Sequence, residues 1–167
     1  MGSEMCIRDS FKSLENGKPT SLDQVGLFVD GCAVKRIGEE TFKISKKYVD
    51  GVILVSIDEI CAAIKDIYED TRVMSEPAGA LAVAGMEKFL LSNHVKDKKI
   101  IAVNSGANLN FDRLRHVTER AEIGEGKEIL LSVKIPEKPG SFRSFCEIIG
   151  KRSISEFNYR FANEKSA

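Results

Sequence analysis

Along residues 20–120, short apolar runs alternate with stretches in which apolar residues recur at helical spacing. The short runs have the length and the branched residues of buried strands, and they cover residues 25–34, 51–56 and 100–103. The helical stretches cover residues 38–48, 57–70, 76–90 and the region from Phe111. Strand and helix in alternation predict an α/β fold, in which helices cover both faces of a parallel sheet.

Two of the predicted helices carry start signals. Ser56 precedes the first and Glu59 follows three residues later, which is the spacing of a capping box. Pro77 occupies a first-turn position of the second, where a missing backbone N–H costs nothing. Cys61 lies on the apolar stripe of the first helix, so we expect core packing rather than redox chemistry. The predicted buried stripe of the second helix is Ala78, Leu81, Ala82, Gly85, Met86, Phe89 and Leu90.

After Glu122 the pattern changes. A polar, glycine-containing break at residues 123–127 predicts a linker between two domains. Residues 129–135 alternate like a strand, residues 142–149 have a helical repeat, and residues 156–161 alternate again. This order predicts a β-α-β unit, half of a ferredoxin-like sheet. The predicted domains are therefore a leader at residues 1–10, which lacks periodicity, a first domain at 11–122 and a second at 128–167.

Composition narrows the classes of partner. Among 167 residues, 25 basic side chains balance 25 acidic ones, so nothing favours a nucleic-acid partner. No apolar run reaches the roughly 20 residues that span a membrane, and we expect no membrane partner. The four cysteines are scattered, which favours free thiols in a reducing cytosol. Two histidines are too few and too far apart for a metal cluster, so no metal is expected.

Candidate chemistry lies where the run at residues 100–103 ends. It leads into Asn104-Ser105-Gly106-Ala107-Asn108, a turn-forming loop before a helix. Open α/β sheets place their ligand sites at the carboxyl ends of strands in this way. Gly106 allows the backbone to approach a ligand closely, and the Ser105 hydroxyl can donate or accept a hydrogen bond. Alone this signal is weak, because such loops are most often simple turns.

Four further motifs make the signal specific. In chain order with that loop they are Asp30 to Gly38 (DGCAVKRIG), Ser75 to Ala80 (SEPAGA), Arg115 to Arg120 (RHVTER) and Glu156 to Phe161 (EFNYRF). Together the five motifs, over residues 11–167, closely resemble the biosynthetic threonine dehydratase (threonine ammonia-lyase) family. Residues 1–10 do not fit the pattern of that family, and we expect them to be a leader foreign to it. The resemblance implies part of a fold type II, tryptophan-synthase-β-like, pyridoxal-phosphate domain. The first half of an ACT-like regulatory domain would follow it.

The resemblance also implies site residues. Ser105 would hydrogen-bond the pyridine nitrogen of pyridoxal 5'-phosphate, Gly106 and Asn108 would shape the loop around it, Gly31 would pass beside the ring, and Glu76 would border the site. The residues alone leave two alternatives, a structural glycine at Gly31 and a helix-capping carboxylate at Glu76. The family's Schiff-base lysine and phosphate-binding glycines are not found in this sequence. We therefore assign no catalytic residue and expect the chain by itself to be inactive.

The activity implied is conversion of L-threonine to 2-oxobutanoate and ammonia in isoleucine biosynthesis, with isoleucine as feedback effector. Phe142 is the candidate effector contact, its alternative being a core aromatic of the helix. The resemblance further implies a homo-oligomer, a tetramer in the family, in the cytoplasm or a plastid. Two other functions stay open: a serine dehydratase-like lyase with the same cofactor, and a non-catalytic amino-acid-binding or assembly fragment.

Overall fold

The computed structural model describes residues 8–26 and 28–160, which form two compact units with the boundary between Leu130 and Leu131. The first unit contains α1 (Arg8–Asn16), α2 (Glu39–Tyr48), α3 (Ile57–Thr71), α4 (Pro77–Asn93) and α5 (Leu114–Gly124). Short 3₁₀ helices at Asp30–Cys32 and Phe111–Arg113 complete it. The second unit contains α6 (Ser141–Ile149). Within the described residues, none of these helices is both long and apolar enough to cross a membrane.

Helix α3 is the centre of the first unit and packs against both α4 and α5. The predicted capping box is present: the Glu59 amide donates to Ser56 Oγ over 3.2 Å, and the Ser56 amide donates to Glu59 Oε2 over 2.6 Å. Ile60, Cys61 and Ile64 are almost fully buried on the face that the sequence predicted. They form the core with Val29, Val55, Ala63, Ala80, Ala84, Val117 and Ala121.

The buried face of α4 differs from the prediction. Its buried residues are Pro77, Gly79, Ala80 and Ala84, whereas Phe89 is 42% exposed. Ala80 and Ala84 belong to the same buried cluster as Ile60 and Ile64 of α3. The fully buried residues are small and let the two backbones approach closely, while the larger Leu81 and Val83 pack against the core cluster only partly buried.

The predicted strands do not form in the described residues. Residues 25–26, 28–34, 51–56, 100–103, 129–135 and 156–160 carry no strand assignment, and a 3₁₀ turn occupies Asp30–Cys32. A strand exists only through the ladder of hydrogen bonds to its neighbour, and the described residues supply no such neighbour. The local pattern of apolar residues indicates extended segments without an α-helix, but it does not specify which strand would pair with which.

Helix α1 crosses the boundary predicted at Ser10. It begins at Arg8, and Asp9 on its first turn is buried. The last part of the predicted leader is therefore folded as helix, because its polar residues continue into the helical pattern of residues 11–16. Met1 to Ile7 lie outside the described residues, and the assignment of a foreign leader stays a prediction.

The second unit keeps its predicted helix, and its aromatic residues stay near the surface. The Phe142 ring lies 5.3 Å from the Phe157 ring, centroid to centroid, in an edge-to-face arrangement, and 6.1 Å from the Phe145 ring. Phe142 and Phe157 are nonetheless each 49% exposed. The small unit groups its aromatic rings without burying them.

Candidate functional site

The turn before α4 and the loop at residues 104–106 are joined by hydrogen bonds. The Glu76 amide donates to the carbonyl oxygen of Gly106 over 3.1 Å. Ser75 Oγ lies 2.8 Å from Asn104 Oδ1 and 3.2 Å from the Gly106 carbonyl oxygen. Two motifs about 30 residues apart in the sequence thus form one hydrogen-bonded cluster at the start of α4.

Glycines make this approach possible. A Cβ atom at Gly106 would lie 2.7 Å from Cδ of Glu76, and a Cβ atom at Gly79 would lie 2.5 Å from Asn104 Oδ1 and 2.9 Å from the Gly106 nitrogen. All three distances are well inside van der Waals contact. The backbone of the loop therefore rests directly on the first turn of α4, and a residue larger than glycine at position 79 would meet the Gly106 backbone.

Glu76 precedes α4 but does not cap it through its side chain. It occupies the N-cap position, yet its carboxylate makes no capping hydrogen bond and lies against Gly106 instead. The alternative interpretation of Glu76 as a capping carboxylate is wrong. The Glu76 carboxyl instead occupies the space beside Gly106 that a Cβ atom there would fill.

Gly31 approaches the same helix start from a third segment. A Cβ atom there would lie 3.1 Å from Cβ of Ala78 in the first turn of α4. The segment is held by Arg113, which donates to the Phe28 carbonyl oxygen over 3.0 Å and to Asp30 Oδ2 over 3.3 Å. Three of the five sequence motifs therefore converge on the N-terminus of α4.

The structure leaves Ser105 and Asn108 exposed on the loop. Among residues 8–26 and 28–160, neither side chain has a hydrogen-bond partner. The fold thus brings Glu76, Gly106 and Gly31 together and presents the Ser105 hydroxyl beside them. Asn108 lies two residues further along the loop and joins none of these contacts.

Four residues of this arrangement were not predicted from the sequence: Ser75, Gly79, Asn104 and Arg113. Ser75 is fully buried, although serine is usually a surface residue. The sequence pointed to Ser75 only because it adjoins Glu76. Asn104 likewise adjoins a predicted site residue, Ser105. Arg113 gave no signal, since its partners are more than 80 residues away. No group of acidic, histidine or cysteine side chains that could hold a metal occurs in the described ranges.

A second candidate site lies in the second unit. A surface pocket of about 310 Å³ is lined by Ile135, Pro136, Glu137, Lys138, Ser141, Phe142, Phe157 and Tyr159. The Tyr159 hydroxyl donates to Glu137 at its edge, and this hydrogen bond raises the pKa of Tyr159. Phe142 both packs on the neighbouring aromatic rings and lines the pocket.

Comparison with known proteins defines the class. The sequence profile of the pyridoxal-phosphate dependent enzyme family matches residues 5–106, and that of the C-terminal regulatory domain of threonine dehydratase matches residues 119–167. The chain belongs to the pyridoxal-phosphate dependent enzyme family.

Within that class the similarity is to biosynthetic threonine dehydratases. The chain is 54% identical to the L-threonine dehydratase of Pasteurella multocida over 157 residues, which are 94% of this chain and 31% of the relative. It is 52% identical to that of Escherichia coli and 54% to the chloroplastic enzyme of Arabidopsis thaliana, over 93% of the chain and 30% and 26% of those relatives. The chain thus spans about a third or less of their length.

Solved structures of related enzymes also align with this chain. The processed form of threonine deaminase isoform 2 from Solanum lycopersicum aligns with a TM-score of 0.68 and 40% identity, over 69% of this chain and 32% of that one. Serine racemase from Dictyostelium discoideum aligns with a TM-score of 0.54 and 32% identity, over 62% and 32%. The expected resemblance, the fold type II domain followed by part of a regulatory domain, and the cofactor are confirmed.

Proposed function

We propose that this chain is part of a biosynthetic threonine dehydratase that converts L-threonine to 2-oxobutanoate and ammonia. The convergence of Gly31, Glu76 and Gly106 on the start of α4, with the Ser105 hydroxyl exposed beside them, carries the proposal. The match of residues 119–167 to a threonine dehydratase regulatory domain favours this enzyme over a serine dehydratase or racemase. A non-catalytic binding fragment is the remaining alternative.

The residues present fit one side of pyridoxal phosphate. The glycines bring backbone to the surface without intervening Cβ atoms, and Ser105 offers a neutral hydroxyl there. The cofactor, when bound, supplies the electron sink for the reaction. Ser105 would hydrogen-bond the ring nitrogen. An aspartate partner would keep that nitrogen protonated and positively charged, whereas a neutral hydroxyl does not. The weaker withdrawal of electrons favours expulsion of the β-hydroxyl over reprotonation at Cα.

The other site residues would shape the surroundings of that contact. Gly31 would pass beside the ring, and Glu76, held against Gly106, would border the site with its carboxylate. Asn108 would set the course of the loop beyond Ser105. The lysine that binds the cofactor covalently, the proton transfers at Cα and the phosphate-binding glycines would be supplied by the remainder of the enzyme.

Replacing Ser105 with alanine in the full-length enzyme tests the assignment. We expect turnover to fall while the fold is retained, because one hydrogen bond to the ring is lost, typically about 0.5–1.5 kcal/mol. The absorbance spectrum of the bound cofactor should change as well. Unchanged kinetics together with an unchanged spectrum would refute the contact, and Ser144→Ala in α6 provides a matched control.

We further propose that isoleucine regulates the enzyme through the second unit, with Phe142 in the effector pocket. The pocket combines aromatic walls with Glu137 and Lys138, which suits an amino acid that has an apolar side chain and two charges. Calorimetry with isoleucine on the full-length enzyme and on its Phe142→Ala variant tests this. Equal affinity in both would remove Phe142 from the effector site.

The remaining partners follow from the same proposal. The enzyme would take threonine as substrate, act as a homo-oligomer and have neither nucleic-acid nor membrane partners. Its compartment would be the cytoplasm, or the plastid in a plant. Sedimentation of the full-length enzyme would establish the oligomeric state.

A further inference from the structure

We propose that Ser75 and Asn104 form a polar clamp that fixes the position of the Ser105 hydroxyl. Both would be positioning residues for the contact between this loop and the cofactor ring. The inference rests on the proposed function, and it adds two residues to which no role has yet been given.

The clamp is centred on a buried hydroxyl. Ser75 is fully buried, and its Oγ has three oxygen neighbours: Asn104 Oδ1 at 2.8 Å, and the carbonyl oxygens of Gly106 and Glu76 at 3.2 Å each. A serine hydroxyl has one proton to donate, and the shortest contact is the one to Asn104. This hydrogen bond attaches the Asn104 side chain to a residue that is fully buried in the fold.

The geometry reaches both sides of Ser105. Asn104 precedes it and Gly106 follows it, and both contact Ser75. The Gly106 carbonyl oxygen also accepts from the Glu76 amide over 3.1 Å. The residues on either side of Ser105 are thus attached to the start of α4, and the Ser105 side chain between them stays exposed.

Precise placement matters for this contact. A hydrogen bond to a ring nitrogen needs a separation of about 2.6–3.2 Å between heavy atoms, and a displacement of ~1 Å loses most of its effect. Loops are more mobile than the elements they connect. The clamp restricts the mobility of the loop, because it attaches residues 104–106 to the start of the 17-residue helix α4.

Amide hydrogen exchange on this chain tests the clamp directly. In Asn104→Ala and in Ser75→Ala, exchange of the Glu76 amide should accelerate about 2- to 10-fold, the range expected for losing one neutral hydrogen bond. The double variant should add little to either single one, since the two residues act as a pair. Asn104→Asp, which keeps an acceptor at Oδ1, should restore protection. Asn158→Ala, which removes an exposed amide in the second unit, is the control.

The cofactor-loaded full-length enzyme supplies the second readout. Asn104→Ala should shift the absorbance and fluorescence of bound pyridoxal phosphate in the same direction as Ser105→Ala, and it should lower kcat more than it raises KM. A merely structural role would lower stability and leave the spectrum unchanged. If the wild type binds no cofactor, the proposed function fails. If the wild type binds it and the spectra and exchange rates of the variants stay at wild-type values, the clamp alone is overturned.

Discussion

Nζ of Lys65 lies 2.7 Å from Oε1 of Glu125 and 3.0 Å from Oε1 of Glu122. Lys65 belongs to α3, whereas the two carboxylates lie at and just beyond the end of α5. Residues 123–127, predicted as a linker, are therefore attached to the central helix of the first unit. Gly124 is part of this contact, since a Cβ atom there would lie 2.6 Å from the Asp58 carbonyl carbon. The function of these residues as a linker stays a prediction.

We expect Lys65→Met to destabilise the first unit. The substitution keeps the aliphatic stem and removes the charge that both carboxylates contact. Lys43→Met is the matched control, because Lys43 forms an exposed ion pair with Glu40 one turn away in α2, and such pairs contribute little. Urea unfolding followed by circular dichroism should show a lower midpoint for Lys65→Met than for Lys43→Met. Equal midpoints would show that the network does not stabilise the fold.

The contribution of Glu125 should disappear in acid. Hydrogen bonds from Lys127 and Lys65 lower the pKa of Glu125 below its usual 4.5. A carboxyl whose pKa is lower in the folded state stabilises the fold above its unfolded pKa and loses that effect as the pH falls through the folded value. Glu125→Gln should therefore be less stable than wild type at pH 7, and the difference should shrink as the pH falls below 4.5 and through the lower folded-state pKa of Glu125. Urea midpoints across that range provide the measurement, and a constant difference would contradict the assignment.

Two glycine substitutions should have opposite effects. Gly79→Ala places a methyl group 2.9 Å from the Gly106 backbone nitrogen, which cannot move without shifting the loop, and we expect a loss of about 1–3 kcal/mol in unfolding free energy. Gly85→Ala, within α4, meets no atom within 4 Å and should gain up to about 1 kcal/mol from helix propensity. Thermal unfolding of both variants checks the pair. A neutral Gly79→Ala would mean that the loop does not rest on α4.

Cys61 should react with thiol reagents only when the core opens. Burial raises the pKa of the Cys61 thiol to about 12, so very little thiolate is present at pH 8. Cys146 is exposed on α6. In variants that retain a single cysteine, labelling of Cys61 should be at least ~100-fold slower than labelling of Cys146. Comparable rates in the folded state would show that α3 is not packed as described.

The 167-residue chain should not deaminate threonine. It offers the Ser105 side of the proposed site, and the lysine and the phosphate-binding glycines that the family uses are not found in its sequence. Production of 2-oxobutanoate, measured at high protein concentration with added pyridoxal phosphate, checks this. Turnover proportional to the amount of protein would mean that another lysine of this chain can take the catalytic role.

Local signals in the sequence predicted the helices well. The Ser56–Glu59 capping box and Pro77 at the start of α4 involve residues within one turn of each other, so the sequence alone contains the interaction. The buried face of α4 was harder to predict, because Phe89 is more apolar than Ala80 and yet Ala80 is buried. The choice between them depends on how closely α3 approaches, which is a tertiary property.

The site shows the same division. Ser105, Gly106, Glu76 and Gly31 were found because they lie in motifs that resemble a family. Ser75 and Asn104 stand beside those residues, but their contact joins positions 29 apart in the sequence and became visible only in three dimensions. The predicted strands are absent from the described residues for a related reason, since a strand forms only with a partner that its own residues do not specify.

A short apolar stretch across the boundary of the two units affects how the protein must be handled. Residues 129–135 form no backbone hydrogen bond with the described residues, and Ile129, Leu130 and Leu131 are 80%, 72% and 63% exposed. A short apolar stretch with unpaired N–H and C=O groups is a template for a strand from another molecule. Concentrated solutions should therefore age by slow growth of β-rich aggregates that begin at this segment. The useful lifetime of a preparation would depend on these seven residues, however stable the helices on either side are.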